Sequence, residues 1–232
     1  MFPPGKSSHA PILCYVTDRK ALAPANSDQN EALLNRIRMA AGAGIDWIQI
    51  REKDLSAKEL SSLTRDVVAQ TKQINERNGK LTRIIVNDRV DVALSENSGG
   101  VHLGGHSLPV HHVCKWLAAK PDLAEHDKFL VGVSCHSVQA AAIAAGGGAD
   151  YIFFGPVFAT PSKASFGAPQ GLRRLAEVCA AVSIPVLAIG GITRNNASDC
   201  YAAGAGGIVA IRLFQDAKDP GSEVADLRAS SR

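Results

Sequence analysis

Eight short runs of apolar, largely β-branched residues recur along the chain: ILCYVT at 12–17, WIQI at 47–50, RIIV at 83–86, GVHL at 100–103, FLVGVS at 129–134, YIFFGPV at 151–157, PVLAIGG at 185–191 and GIVAI at 207–211. Near-continuous hydrophobic runs of this length are the pattern of parallel strands buried on both faces. Between most of them lie segments rich in Ala, Leu, Glu, Lys and Arg, at 30–43, 56–77, 138–145, 172–182 and 195–203, which favour helix. Strand and helix therefore alternate from end to end. A doubly wound sheet of this length would normally show fewer strands, so the pattern predicts a closed (β/α)8 barrel. A weak internal repeat marks the same joint three times: AGAGIDWIQIRE from 41, AGGGADYIFFGP from 145 and AGAGGIVAIRLF from 203 each put a Gly-rich helix stop before a buried strand. No Pro- or Ser-rich linker divides the chain. It is expected to be one domain over 1–232, with a core at about 12–216 and peripheral segments at 1–10 and 217–232. The tail from 216 is polar and interrupted by Pro220 and Gly221, and the expectation is a weak helix that is either disordered or packed on a partner chain in a homo-oligomer.

Composition narrows the function. With 46% hydrophobic and 20% charged residues among 232, the chain is of ordinary globular type. A net charge of +3 and 5% aromatic residues lack the charge excess and stacking inventory of a nucleic-acid binder, which favours small-molecule partners. The N-terminal residues include Pro3, Pro4 and Gly5 and no apolar signal-peptide core. The uncharged stretch 129–149 holds Ser134, His136, Ser137, Gln139 and three consecutive glycines, so it reads as a strand and a helix, not a membrane span. The five cysteines are widely spaced and odd in number, as expected of buried thiols in a cytoplasmic protein.

Barrel enzymes carry their chemistry at the C-terminal ends of the strands. After the second strand, alternation sends Gln49, Arg51 and Lys53 to one face; solvated surface charges would account for Arg51 and Lys53 but not for Gln49 beside them. The third strand ends in Asn87 and Asp88, which suit either Mg²⁺ binding beside a diphosphate or capping of a helix that starts near Val90. At the fifth, Ser134 and His136 align and Cys135 faces away, which disfavours a Cys–His nucleophile; His136 is either an acid–base group or a hydrogen-bonded structural histidine. Thr160, Ser162 and Lys163 follow the sixth strand, in a loop that runs to Gly167 as a candidate lid. The seventh and eighth strands end at Gly190 and Gly191 and at Ile211 and Arg212, the usual phosphate site of such barrels. Two anion-binding clusters across one mouth point to a transferase that joins two phosphorylated substrates. The histidines His102, His106, His111 and His112 do not make a zinc site, since Gly104 and Gly105 break any helix between the first two and no carboxylate or cysteine completes the set.

In order and spacing, QIREK (49–53), VNDRVDVAL (86–94), GVHLG (100–104), GVSCHS (132–137), GPVFATPSK (155–163), PVLAIGGIT (185–193) and AGAGGIVAI (203–211) resemble the thiamine phosphate synthase family and its thiazole tautomerase relatives. The resemblance covers about residues 13–214. It implies condensation of a hydroxymethylpyrimidine diphosphate with a thiazole phosphate, giving thiamine phosphate and pyrophosphate. It further implies that Gln49, Arg51, Lys53, Asn87, Ser134 and Lys163 bind the pyrimidine diphosphate, that Asp88 binds Mg²⁺, and that Thr160, Ser162, Gly190 and Ile211 hold the thiazole phosphate. Two positions depart from the family pattern. The fourth strand is followed by Gly104, Gly105, His106 and Ser107 in place of Gly-Gln and two acidic residues, so that only the neutral oxygen of Ser107 stands near the second metal ligand. Arg212 replaces a small serine, and its guanidinium either clamps the thiazole phosphate or fills its pocket. The resemblance leaves two other activities open: a thiazole tautomerase using His136 for proton transfer, and a non-catalytic barrel that binds a thiamine precursor.

Overall fold

A computed structural model describes residues 10–24, 27–120, 129–160 and 168–231. The strands are β1 (Ile12–Val16), β2 (Trp47–Ile50), β3 (Arg83–Asn87), β4 (Gly100–Leu103), β5 (Leu130–Cys135), β6 (Tyr151–Phe154), β7 (Val186–Ile189) and β8 (Gly207–Ala210). They pair in sequence order, all parallel, and β8 closes on β1. The described helices are α1 (Arg19–Leu22), α2 (Gln29–Ala43), α3 (Ala57–Asn78), α4 (Val90–Ser95), α5 (Val110–Ala118), α6 (Val138–Gly146), α7 (Gly171–Ala181), α8 (Ala197–Ala202), α9 (Arg212–Gln215) and α10 (Pro220–Ala229). The expected (β/α)8 barrel is the observed fold.

Local chemistry sets the helix ends. Ser56 and Glu59 form a reciprocal capping box at the start of α3, whose Leu60, Leu63 and Val67 recur at helical spacing and are buried against the sheet. The repeated glycine stops take the left-handed conformation that glycine adopts without strain, with φ of 83° at Gly44, 94° at Gly148 and 96° at Gly204. In two of the copies the aspartate two residues on caps the preceding strand: Asp46 accepts from the Leu13 N–H at 2.8 Å and Asp150 from the Val131 N–H at 2.9 Å.

The tail corrects the sequence reading. Asp219 caps α10 by accepting from the Gly221 and Ser222 N–H groups, and Pro220 sits in the first turn, where its missing N–H costs nothing. Val224 and Leu227 are buried, α10 packs on α2, and Arg228 donates to the Gly44 carbonyl and to Asp46. Pro220 and Gly221 thus begin a helix that packs on its own chain.

Parallel pairing shifts by one residue per strand around the barrel, so every second strand contributes to one layer of inward side chains. From the floor upward the layers are Trp47, Gly100, Tyr151 and Gly207; then Cys14, Ile85, Gly132 and Leu187; then Gln49, His102, Phe153 and Val209; then Val16, Asn87, Ser134 and Ile189. Tyr151 rises from the lowest of these layers through space left by Gly132, where any Cβ would land on the tyrosine ring. Gly132→Ala should therefore destabilise the fold by about 1–3 kcal/mol through overpacking. A lower urea midpoint at unchanged m-value is the expected readout; an unchanged midpoint would remove Tyr151 from the bore.

Candidate active site at the C-terminal rim

The rim is fixed from below by a polar knot between β1 and β2. Thr17, fully buried, donates to Glu52 Oε1 at 2.6 Å and accepts from the Arg51 N–H at 3.0 Å. Glu52 also accepts from the Arg19 backbone N–H at 3.2 Å and pairs with its guanidinium. Burial raises the Glu52 pKa, while the hydroxyl, the amide and the guanidinium pull it back. Within Arg51-Glu52-Lys53 the middle residue is thus turned into the protein and its neighbours are more open: Glu52 is buried, Arg51 half-buried and Lys53 exposed. Neither Thr17 nor Glu52 was singled out from the sequence, although the alternation that placed Arg51 and Lys53 together already put Glu52 on the opposite face.

Gln49, expected on the face of Arg51, lies in the bore, 2% exposed, and its Nε2 has no hydrogen-bond partner among the described residues. Asn87 and Ser134 occupy the layer above it. The capping alternative for Asn87 and Asp88 does not hold, because α4 receives no side-chain cap. Asp88 instead adopts φ 68° and accepts a hydrogen bond from the Ser107 hydroxyl, while its own N–H donates to the His102 carbonyl at 2.9 Å. Asp88 and Ser107 therefore meet across the ends of β3 and β4. Ser107 also accepts from the Gly104 N–H, which closes the turn after β4.

Cys135 faces the helices and is buried, as alternation required, and burial pushes its thiol up to about 11. His136 is exposed, and its Nδ1 pairs with the Gly155 carbonyl at the end of β6. One of its nitrogens thus has a structural role, and Nε2 is left for other partners. Gly190 and Gly191 take φ of 95° and 67° and press on Pro156 and the Ala159 carbonyl, so a side chain at either would collide with the β6 loop. Ile211 leads directly into α9, with Arg212 exposed at the head of that helix. Thr160 ends the described part of the β6 loop; Ser162, Lys163 and the candidate lid through Gly167 lie outside the described residues.

His102, set aside as one of four scattered histidines, is central to the bore. It is 2% exposed, stacks on Phe153 with ring centroids 4.0 Å apart, and shares hydrogen bonds with Tyr151 Oη (3.3 Å) through Nδ1 and with Ser134 Oγ (2.8 Å) through Nε2. Its signal in the sequence was position: in GVHL, alternation sends Val101 and Leu103 outward and His102 inward. Burial, aided by the nearby Arg51 charge, pushes its pKa from 6.5 down to about 3, so the imidazole is neutral at physiological pH.

Fold and rim together define a class, a (β/α)8 barrel with cations, amides and hydroxyls gathered at the end where such barrels work. Comparison supplies the particular family: the family model described as thiamine monophosphate synthase matches residues 13–214. A thiamine-phosphate synthase of Methanoculleus marisnigri is 43% identical over 75% of this chain and 76% of its own. One of Chlorobium luteolum is 37% identical over 96% and 94%. The solved thiamine phosphate pyrophosphorylase from Pyrococcus furiosus superposes with a TM-score of 0.76 at 29% identity, covering 95% of each chain. The chain belongs to the thiamine monophosphate synthase family and is a transferase of that type.

The pKa of His102 carries a stability prediction. Below pH 6.5 the unfolded chain takes up a proton that the folded bore refuses until about pH 3. The contribution of neutral His102 is thus complete above pH 6.5 and drains as pH falls toward 3. His102→Asn should flatten this acid limb relative to wild type, read as urea midpoint against pH; parallel slopes in the two proteins would contradict a neutral buried imidazole.

Proposed function

We propose that the rim condenses 4-amino-5-hydroxymethyl-2-methylpyrimidine diphosphate with 4-methyl-5-(2-hydroxyethyl)thiazole phosphate. The reading is carried by the separation of a cationic rim, with Arg51 and Lys53, from the layer of neutral His102, Gln49 and Phe153 in the bore. In the reaction the bond from the pyrimidine methylene to the diphosphate oxygen breaks, and its electron pair leaves with pyrophosphate. The thiazole nitrogen lone pair then forms the new C–N bond, so no protein nucleophile is needed. Arg51, Lys53 and Lys163 would stabilise the growing charge of the departing diphosphate. Asn87, Ser134 and Gln49 hold the pyrimidine above a bore without a fixed positive charge, which suits a methylene that becomes cationic. Thr160, Ser162, Gly190, Gly191, Ile211 and Arg212 form the thiazole phosphate side.

Among the described residues no three His, Cys, Asp or Glu side chains converge. Asp88, with Ser107 on one of its oxygens, nonetheless fits Mg²⁺, which commonly takes one protein carboxylate and fills its octahedron with water and substrate phosphate. When bound there, Mg²⁺ would neutralise diphosphate charge. No described helix is long and apolar enough to cross a membrane. A cytoplasmic setting belongs to the same proposal and rests on the five free thiols.

The test is thiamine phosphate formation from the two precursors with Mg²⁺ and with EDTA. Magnesium-dependent product is expected, with Asp88→Asn and Lys163→Ala each lowering kcat/KM by roughly 100-fold or more. Tautomerisation of the thiazole that needs His136, without any condensation, would overturn the reading in favour of an isomerase. Binding of both precursors without turnover would overturn it in favour of a sensor.

A further inference from the structure

Tyr151, His102 and Ser134 stand in one hydrogen-bonded column through successive layers of the bore, with Gly132 giving the tyrosine its passage. The order of donors along the column follows from satisfaction. Tyr151 is 1% exposed, and His102 Nδ1 is the only hydrogen-bond partner of its hydroxyl among the described residues. A buried phenol proton that is not donated carries the full penalty of a lost hydrogen bond. If Nδ1 held the imidazole proton it would donate to the phenol oxygen, and the phenol proton would face an apolar wall that includes Trp47 and Phe153, with ring centroids 4.6 and 5.3 Å away. If Tyr151 donates to Nδ1, the proton of the neutral imidazole resides on Nε2 and is donated to Ser134 Oγ, and every buried donor is used.

We propose that this column fixes His102 as the Nε2–H tautomer and thereby turns the Ser134 hydroxyl into an outward donor to a ring nitrogen of the bound pyrimidine. The inference rests on the condensation reading for its ligand and deepens it with two positioning residues, His102 and Tyr151, neither of which touches substrate. A second observation points the same way. Gln49 lies in the layer of His102, buried, with its Nε2 donor unpartnered. Gln49 and Ser134 lie in adjacent layers of the bore, so each has a donor within it to offer, and the ring nitrogens of a pyrimidine are acceptors.

The test reads the tautomer directly, by nitrogen-15 NMR of the histidine-labelled, ligand-free protein. The His102 signal is assigned by its loss in His102→Asn. A protonated Nε2 with a bare Nδ1 is expected; a protonated Nδ1 would overturn the proposal. Calorimetry then compares the two precursors on wild type and Tyr151→Phe. Loss of the phenol should weaken the pyrimidine diphosphate by roughly 5- to 10-fold, the scale of one hydrogen bond, and leave the thiazole phosphate unchanged. Equal weakening of both, or of neither, would overturn the recognition role. Because neither arm needs turnover, a failure here is distinct from a failure of the condensation reading, which would appear as no thiamine phosphate from the wild type.

Discussion

Everything at the active end depends on the register that closes the barrel. Because β8 pairs with β1 after a shift of one residue per strand, residues far apart in sequence are brought to one level, and the choice of level is not free. Gln49, His102, Phe153 and Val209 share a layer only in this register; a slip on one strand would send its inward set to the helices. The side chains in the bore are matched to that requirement. Tyr151 needs the absence of a side chain at Gly132, and His102 needs the ring of Phe153 on one side and the Ser134 hydroxyl above. A packed interior of this kind is how small parallel barrels are filled, and here the filling also positions the polar groups below the rim.

Charge is sorted by height in the same structure. The bore below the rim contains an imidazole held neutral, an amide and a phenol whose pKa burial raises, while the cations begin one step higher at Arg51 and Lys53. Arg51 contributes to this sorting in two ways. It presents a guanidinium at the mouth, and its field helps to keep His102 unprotonated. The Thr17–Glu52 knot makes the position of Arg51 reproducible by pinning its backbone N–H. A buried carboxylate is costly unless it is fully hydrogen-bonded, and Glu52 is paired with a hydroxyl, an amide and a guanidinium.

Much of the fold was legible because parallel barrels write themselves as alternation between strand runs and helices, and the three glycine stops at Gly44, Gly148 and Gly204 mark the joints. Strand ends were read too long at β6 and β7, because Gly155 and Gly190 are as apolar as the strands they leave and only the turn distinguishes them. Helix α10 was undervalued because its stability comes from a cap at Asp219 and from burial of Leu227, while Pro220 is harmless in the first turn. At the site, residues at strand ends were found by parity. Those deeper in the bore, His102 one layer down and Tyr151 three, were missed because a buried histidine or tyrosine in an apolar strand looks like core until its neighbours in the ring are known.

The turn at Asp88 is built around a single carboxylate. Left-handed backbone at a non-glycine residue is uncommon, and aspartate is among the few residues that adopt it at modest cost. The geometry is held from three directions: the Asp88 N–H bonds to the His102 carbonyl, its carboxylate accepts from Ser107, and Ser107 in turn accepts from Gly104. A carboxylate fixed in this way is pre-oriented before any cation arrives, so less ordering is required on binding. In the proposed condensation, a hydroxyl in place of a second acid would leave the remaining charge of a diphosphate to the Arg51 and Lys53 side. The balance of anion binding would then shift from metal toward guanidinium and ammonium, groups that hold phosphate oxygens by directed hydrogen bonds.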